Sequence, residues 1–286
     1  MSITIENLSY SYVQPSGEKV DALKNVSYSI EDGDFVGIMG HTGCGKTTLI
    51  QLMAGLLSPT SGHIYLNGED INAKGYDRTS LRQTVGVVFQ YPEYQLFATT
   101  VEKDVAFGLK YSGLNRQDVS ARVQWALETM GFDFEKVRSQ SPLALSGGEK
   151  RRVAIAGVLA TKPKILFFDE PIAGLDPYCR QRFLQFVTQM NQSGTTIIMV
   201  SHNMEALGEC TKRLLVLENG KLIDAGATSE VFVRVKHMSN GGFGQTEAQK
   251  IVELLSAGNL QLSSAIVTYD DLLSALRQEL TGGGMG

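Results

Sequence analysis

Eight residues near the start of the chain can do chemistry together. Gly40-His41-Thr42-Gly43-Cys44-Gly45-Lys46-Thr47 fits the pattern G-x-x-x-x-G-K-[ST] at every fixed position. Glycines there let successive backbone N–H groups turn toward one point. A helix opening at Lys46 adds the positive end of its dipole, so the loop becomes a cradle for phosphate oxygens. Lys46 would neutralise the outer phosphates of a nucleoside triphosphate, the Thr47 hydroxyl would ligate Mg²⁺, and Thr48 extends the same binding segment. A second group is Asp169-Glu170, directly after the apolar run Ile165-Leu166-Phe167-Phe168. Ligands of an open α/β sheet lie at such strand ends. Asp169 suits Mg²⁺, and Glu170 suits the polarisation of an attacking water. A third is Leu145-Ser146-Gly147-Gly148-Glu149, where a serine and two glycines open a helix and make another anion site. Singly, each has a plain structural reading: a glycine-rich turn, a solvated acidic turn, a capped amphipathic helix. Together they point to hydrolysis of ATP with Mg²⁺. Cys44 lies close to Lys46 and to a helix N-terminus, and both favour thiolate. The sequence therefore predicts it to be the most readily alkylated of Cys44, Cys179 and Cys210.

The elements that must position these residues are visible in the hydrophobic period. Runs apolar at nearly every position recur at 35–39, 85–89, 165–168 and 196–200, as expected of parallel strands covered on both faces. Helical patterns lie between them at 47–57, 119–130, 147–160 and 178–190. This alternation predicts an α/β core. Before it, Ile3, Ile5 and Leu8, then Val26, Tyr28 and Ile30, alternate as half-buried antiparallel strands. From 91 to 161 the pattern is helical without a strand, which predicts a helical subdomain inserted into the core. Asn219-Gly220 is a hairpin-type turn ahead of a last strand at 221–225. A glycine-rich linker at 239–244 leads to helical segments at 246–256 and 270–280. The expected division is a nucleotide-binding domain over 1–230 and a small C-terminal helical domain over 231–286.

With 286 residues, 43% hydrophobic and 20% charged, the chain can bury a substantial core. A formal net charge of −4 provides no global basic field for nucleic acid or anionic lipid. An odd number of cysteines without C-x-x-C spacing argues against a disulfide framework or a zinc site and suits a reduced cytosol. The first ten residues lack the basic and apolar regions of a signal peptide, and no apolar run approaches the ~18 residues that span a bilayer. Membrane association is expected to come through a partner.

Leu145-Ser146-Gly147-Gly148-Glu149 resembles the signature motif of ABC transporter ATPases, usually LSGGQ, and stands where that motif is expected, just before the Asp-Glu strand. The resemblance covers residues 3–230. It implies the P-loop NTPase fold of those ATPases, an α/β core with an antiparallel β subdomain, an inserted helical subdomain and a small C-terminal helical domain. It also implies roles for single residues. Tyr12 would stack on adenine, and Gln90 would contact metal and water and sense the nucleotide. Asp176 in Gly174-Leu175-Asp176 would cross between subunits, and His202 would contact the γ-phosphate. Ser146, Gly147, Gly148 and Glu149 would complete the pocket of the opposite subunit, so that ATP is sandwiched between two cassettes. Glu149 departs from the usual glutamine. A negative charge near phosphate is mildly unfavourable unless it turns away or meets Lys150 or Arg151.

A narrower resemblance, to the ATPases of energy-coupling factor transporters, rests on Tyr91-Pro92-Glu93-Tyr94-Gln95-Leu96-Phe97, on Val101-Glu102-Lys103-Asp104-Val105-Ala106-Phe107-Gly108 and on the segment from Glu170 to Pro177. These transporters are bacterial importers of vitamins and of nickel or cobalt. Thr42, Arg151-Arg152 and Ala173 look nearer to the second of their two ATPase paralogues. The resemblance implies pairing with a paralogous ATPase or a second copy, a transmembrane coupling subunit, and a substrate-binding membrane subunit within the complex. The place implied is the cytoplasmic face of the cell membrane. Glu93, Leu96 and Phe97, on a turn begun by Pro92, combine an acidic group with apolar side chains and suit docking on a basic amphipathic helix. Other readings are an ATPase of an ordinary ABC importer or of a lipoprotein-release system. From a different class comes a soluble ABC protein acting on DNA or ribosomes. Such proteins usually join two cassettes or insert long coiled coils, whereas this chain has one cassette, no heptad run and no basic excess. A non-hydrolysing cassette is disfavoured by the presence of both Glu170 and His202.

Overall fold

In the computed structural model, residues 1–238, 244–258, 260 and 262–282 are described. The expected linker therefore lies, except for Gly244, outside the described residues. Among the described residues the strands are β1 (Ile3–Val13), β2 (Lys19–Ile30), β3 (Phe35–Gly40), β4 (Ser61–Leu66), β5 (Glu69–Asp70), β6 (Val85–Val88), β7 (Ile165–Asp169), β8 (Thr196–Val200), β9 (Arg213–Glu218) and β10 (Lys221–Ala227). The helices are α1 (Lys46–Met53), α2 (Arg78–Thr84), α3 (Val101–Ala106), α4 (Arg116–Thr129), α5 (Phe134–Val137), α6 (Gly147–Leu159), α7 (Pro177–Gln192), α8 (Met204–Cys210), α9 (Thr228–Met238), α10 (Glu247–Ala257) and α11 (Tyr269–Gly282).

The strands make two sheets, one antiparallel in the order β2-β1-β4-β5, the other in the order β10-β9-β3-β8-β7-β6. In the second sheet every neighbouring pair is parallel except β9 and β10, which the Asn219-Gly220 turn joins as a hairpin. Both turn residues have positive φ, 49° and 79°, the geometry that an Asn-Gly pair adopts with least strain. Strands β3, β7 and β8 are buried at every residue. Successive side chains of a strand point to opposite faces, so each strand feeds two cores. Phe35, Leu166, Phe168, Ile197 and Met199 enter one, with α4, α6 and α7. Val36, Ile38, Ile165, Phe167, Ile198 and Val200 enter the other, with α1 and the antiparallel sheet. Helices α3 to α6 pack together as the inserted helical region, through Val101, Val105, Val123, Leu127, Phe134 and Val153.

Strand β4 was not visible in the sequence, because only Ile64 and Leu66 of it are buried. Strand β9, buried over 214–217, is a further strand that the sequence reading does not contain; it precedes the hairpin turn. The boundary expected at 230 falls inside α9, whose Val231, Phe232 and Val235 join the main core. Beyond it, Ala248, Val252, Ile266 and Leu272 form a small separate core between α10 and α11.

Candidate active site

The glycine-rich loop leaves the buried end of β3 and enters α1. Gly45 has φ of 106°, and a Cβ there would collide with the Ala22 carbonyl, so only glycine fits. Lys46 is 7% exposed. Its Nζ donates to the carbonyls of Gly40 at 2.6 Å and His41 at 2.9 Å, which satisfies the nearly buried ammonium within its own loop. Thr47 Oγ1 donates to Asp169 Oδ2 at 2.6 Å, tying the loop to the end of β7. Tyr12, on β1, brings its hydroxyl within 3.2 Å of Thr48 Oγ1. Its ring packs edge-on against Tyr10, with centroids 4.9 Å apart, and remains 43% exposed, leaving aromatic surface beside the loop.

Glu170 follows β7 with φ of 50°, and its amide donates to the Val200 carbonyl at 3.0 Å. The His202 amide donates to Glu170 Oε2 at 3.3 Å. His202 Nε2 lies 3.2 Å from Oε1 but is not aligned as a hydrogen bond, so Oε1 is buried without a donor among the described residues. Such an acceptor is costly unless water or a ligand serves it. Burial pushes the Glu170 carboxyl above the usual carboxylate range; the His202 amide and Lys46 offset part of this, and Asp169 adds to it. Burial, then the Lys46 charge, pulls the His202 imidazole below its usual value, with Asp169 opposing. The hydroxyl of Thr47 and the carboxylate of Asp169 are hard oxygen donors already at one point. Two protein oxygens fit a Mg²⁺ that keeps phosphate and water among its ligands. Gln90 is exposed just beyond β6.

At the second anion site Ser146 caps α6. Its amide and hydroxyl donate to Glu149 Oε2 at 2.9 and 2.6 Å, and the Glu149 amide donates back at 3.4 Å. These bonds hold the Glu149 carboxyl below the usual range, with Arg152 contributing less. The departure from glutamine is thus absorbed by a capping box, without the expected help of Lys150 or Arg151. Glu149→Ala should lower the melting temperature, read by calorimetry, and Glu149→Gln should lower it less, because the amide keeps the box but loses the charge that its bonds favour. Asp176 caps α7 by accepting from the Cys179 amide at 2.9 Å, and it follows Gly174, whose φ is 76°.

The expected docking residues are distributed differently. Pro92 is buried, Glu93 is half-buried, and Leu96 packs against the main core. Phe97 alone of the three predicted is exposed; it meets Phe107 edge-to-face at 4.8 Å, with Tyr94 exposed nearby. The cysteine expectation is also reversed. Cys44 is 5% exposed, and burial pushes its thiol up despite Lys46. Burial takes Cys210 to about 11. Cys179 is exposed, although its hydrogen bond to Asp176 raises its pKa too. Mass-spectrometric labelling should therefore find Cys179 alkylated first; faster labelling of Cys44 would show that the loop opens in solution.

A phosphate loop, an Asp-Glu strand end and a second helix-opening anion loop on one α/β core define an ATP-hydrolysing cassette, and the chain belongs to the ABC transporter family, whose profile matches residues 23–173. Within that family it stands with the energy-coupling factor ATPases. The Clostridium perfringens "Energy-coupling factor transporter ATP-binding protein EcfA2" is 43% identical over 277 residues, spanning 96% of this chain and 97% of that protein. Among solved structures, cbiO1 from Clostridium perfringens, described as part of the ABC transporter complex cbiONQ, superposes with a TM-score of 0.71 at 34% identity, over 83% of this chain and 95% of that one. A dimeric ATP-binding cassette in a post-hydrolysis state with ADP and Pi gives a TM-score of 0.71 at 29% identity, over 79% of this chain and 98% of that one. The cofactors of the family are ATP and Mg²⁺. Among the described residues no helix is long and apolar enough to cross a membrane.

Proposed function

We propose that this chain is the second ATPase of an energy-coupling factor importer, paired with a paralogous ATPase and powering uptake of a vitamin or transition-metal ion through separate membrane subunits. It sits peripherally at the cytoplasmic face. The observation that carries this reading is the exposed aromatic ridge of Tyr94, Phe97 and Phe107, which begins four residues after Gln90. A nucleotide-contacting residue joined so closely to an apolar surface suits transmission of ATP hydrolysis to a membrane helix. The cassette would span 1–230 together with the rest of α9, with its helical subdomain over 91–161, and α10 and α11 would help to hold the pair together.

In turnover, Lys46 exchanges the carbonyls of Gly40 and His41 for phosphate oxygens, and Tyr12 stacks on adenine. Thr47 and Asp169 would hold Mg²⁺, with Gln90 beside it, and the ion would neutralise phosphate charge there. Glu170 orients the attacking water and draws on its proton, while His202 donates to the γ-phosphate. Ser146, Gly147, Gly148, Glu149 and Asp176 serve the partner's nucleotide. Purification of the tagged chain from detergent-solubilised native membranes tests the assignment. A paralogous ATPase and polytopic membrane proteins should co-purify; nucleic acid or ribosomal proteins in their place would overturn it.

A further inference from the structure

Arg151 lies four and eight residues before Ile155 and Leu159 on α6, so it belongs to that helix's buried stripe. It is 6% exposed. Its Nη1 donates to the Ala173 carbonyl at 2.8 Å, and its Nη2 donates to the carbonyls of Glu170, at 3.3 Å, and Pro171. One guanidinium therefore gathers the carbonyls of the segment that leads from the catalytic carboxylate toward Asp176. On its other side α6 packs against the turn Pro92–Gln95. There Glu93 supplies the main opposing charge against the cost of burying Arg151, and Tyr91 acts in the same sense. Arg151 Nε and Glu93 Oε2 are both buried without a hydrogen-bond partner among the described residues.

The two segments that meet at Arg151 share a backbone peculiarity. Apart from glycine and asparagine, positive φ occurs among the described residues at Tyr91, Lys162 and Glu170. The first and last of these flank Arg151, with φ of 55° and 50°. Side-chain-bearing residues hold this conformation only where their surroundings over-determine it. Relaxation of the Glu170 backbone to a common conformation would swing its carboxylate away from His202.

We propose that Arg151 is a positioning residue for ATP hydrolysis: its guanidinium holds the backbone of residues 170–173 in the conformation that keeps the Glu170 carboxylate on the attacking water. A planar fork of donors can serve several carbonyls at once, which methionine cannot and lysine can only in part. The proposal concerns hydrolysis by the cassettes themselves. It is tested on the full chain paired with its ATPase partner but free of membrane subunits, so failure of the docking assignment leaves it standing.

Single-turnover hydrolysis, steady-state KM for ATP and the melting temperature are measured for Arg151→Met and Arg151→Lys. Arg151→Met should lower the hydrolysis rate roughly 10²-fold, the scale of a small displacement of a catalytic group, with KM unchanged. Arg151→Lys should recover part of that loss. A wild-type rate in both variants, or loss of rate and ATP binding by the same factor, would overturn the proposal. If Arg151→Met does not fold, Arg151→Lys decides: a reduced rate with unchanged KM supports the role, and a wild-type rate removes it.

Discussion

Replacing Glu170 by glutamine should lower hydrolysis at its own site by about 10²–10⁴-fold while Mg²⁺-ATP binding persists. The carboxylate is placed for this by the β7 end, by its amide bond to Val200 and by the His202 amide. Its Oε1 is buried, accepts no aligned hydrogen bond among the described residues and lies 3.2 Å from His202 Nε2. Lys46→Ala should instead weaken nucleotide binding itself, because the ammonium is what the phosphates recruit. In the nucleotide-free chain, burial raises the Glu170 carboxyl above the usual carboxylate range. A carboxyl with a raised folded-state pKa contributes stability below its unfolded pKa, and that contribution is lost as pH rises through the folded value. Nucleotide-free Glu170→Gln should therefore melt above the wild type at neutral pH. Single-turnover hydrolysis with the partner's site disabled is the deciding measurement, and near wild-type rates would remove Glu170 from the role.

Changing Tyr94 and Phe97 together to alanine should abolish transport while the isolated chain binds ATP normally. Buried aromatic anchors often cost ~2 kcal/mol or more each when truncated, so the pair is enough to release a membrane subunit. Both side chains are largely exposed in the chain alone, and their removal spares the core. Glu93→Arg is a poorer probe because it would bring a second positive charge toward Arg151. Leu96→Ala likewise disturbs core packing. Assembly is read by co-purification and transport by uptake in vesicles. If the double variant folds, assembles and transports at the wild-type rate, docking lies elsewhere on the helical region.

The phosphate loop, the Asp-Glu strand and the helix opened by Ser146 were legible because each couples a fixed residue pattern to a strand end or helix start. The buried strands were legible for a similar reason, since apolar residues at every position admit few alternatives. Orientation was not. Nothing in the sequence distinguishes a glutamate that faces a partner from Glu93, which faces Arg151. The buried arginine left a trace in its four-residue spacing from Ile155, but the neighbouring Lys150 and Arg152 hid it in what looked like a solvated basic run. The loop's local chemistry favours a reactive Cys44, but the surrounding fold buries it, and that burial leaves no mark in the local sequence.

The division of β7 between two cores bears on how the gene can change. Its side chains alternate, with Ile165 and Phe167 on one face and Leu166 and Phe168 on the other, and the last of the series is Asp169, hydrogen-bonded to Thr47. Removal or insertion of one codon within the strand would exchange the two apolar sets and turn Asp169 away from the loop, so a single in-frame event would damage packing and catalysis together. Codons for the exposed stretch between β1 and β2, residues 14–18, carry no such constraint. Length variation among descendants of this gene should therefore collect in that stretch and spare β7, so that the sheet acts as a ruler against which the catalytic residues are inherited.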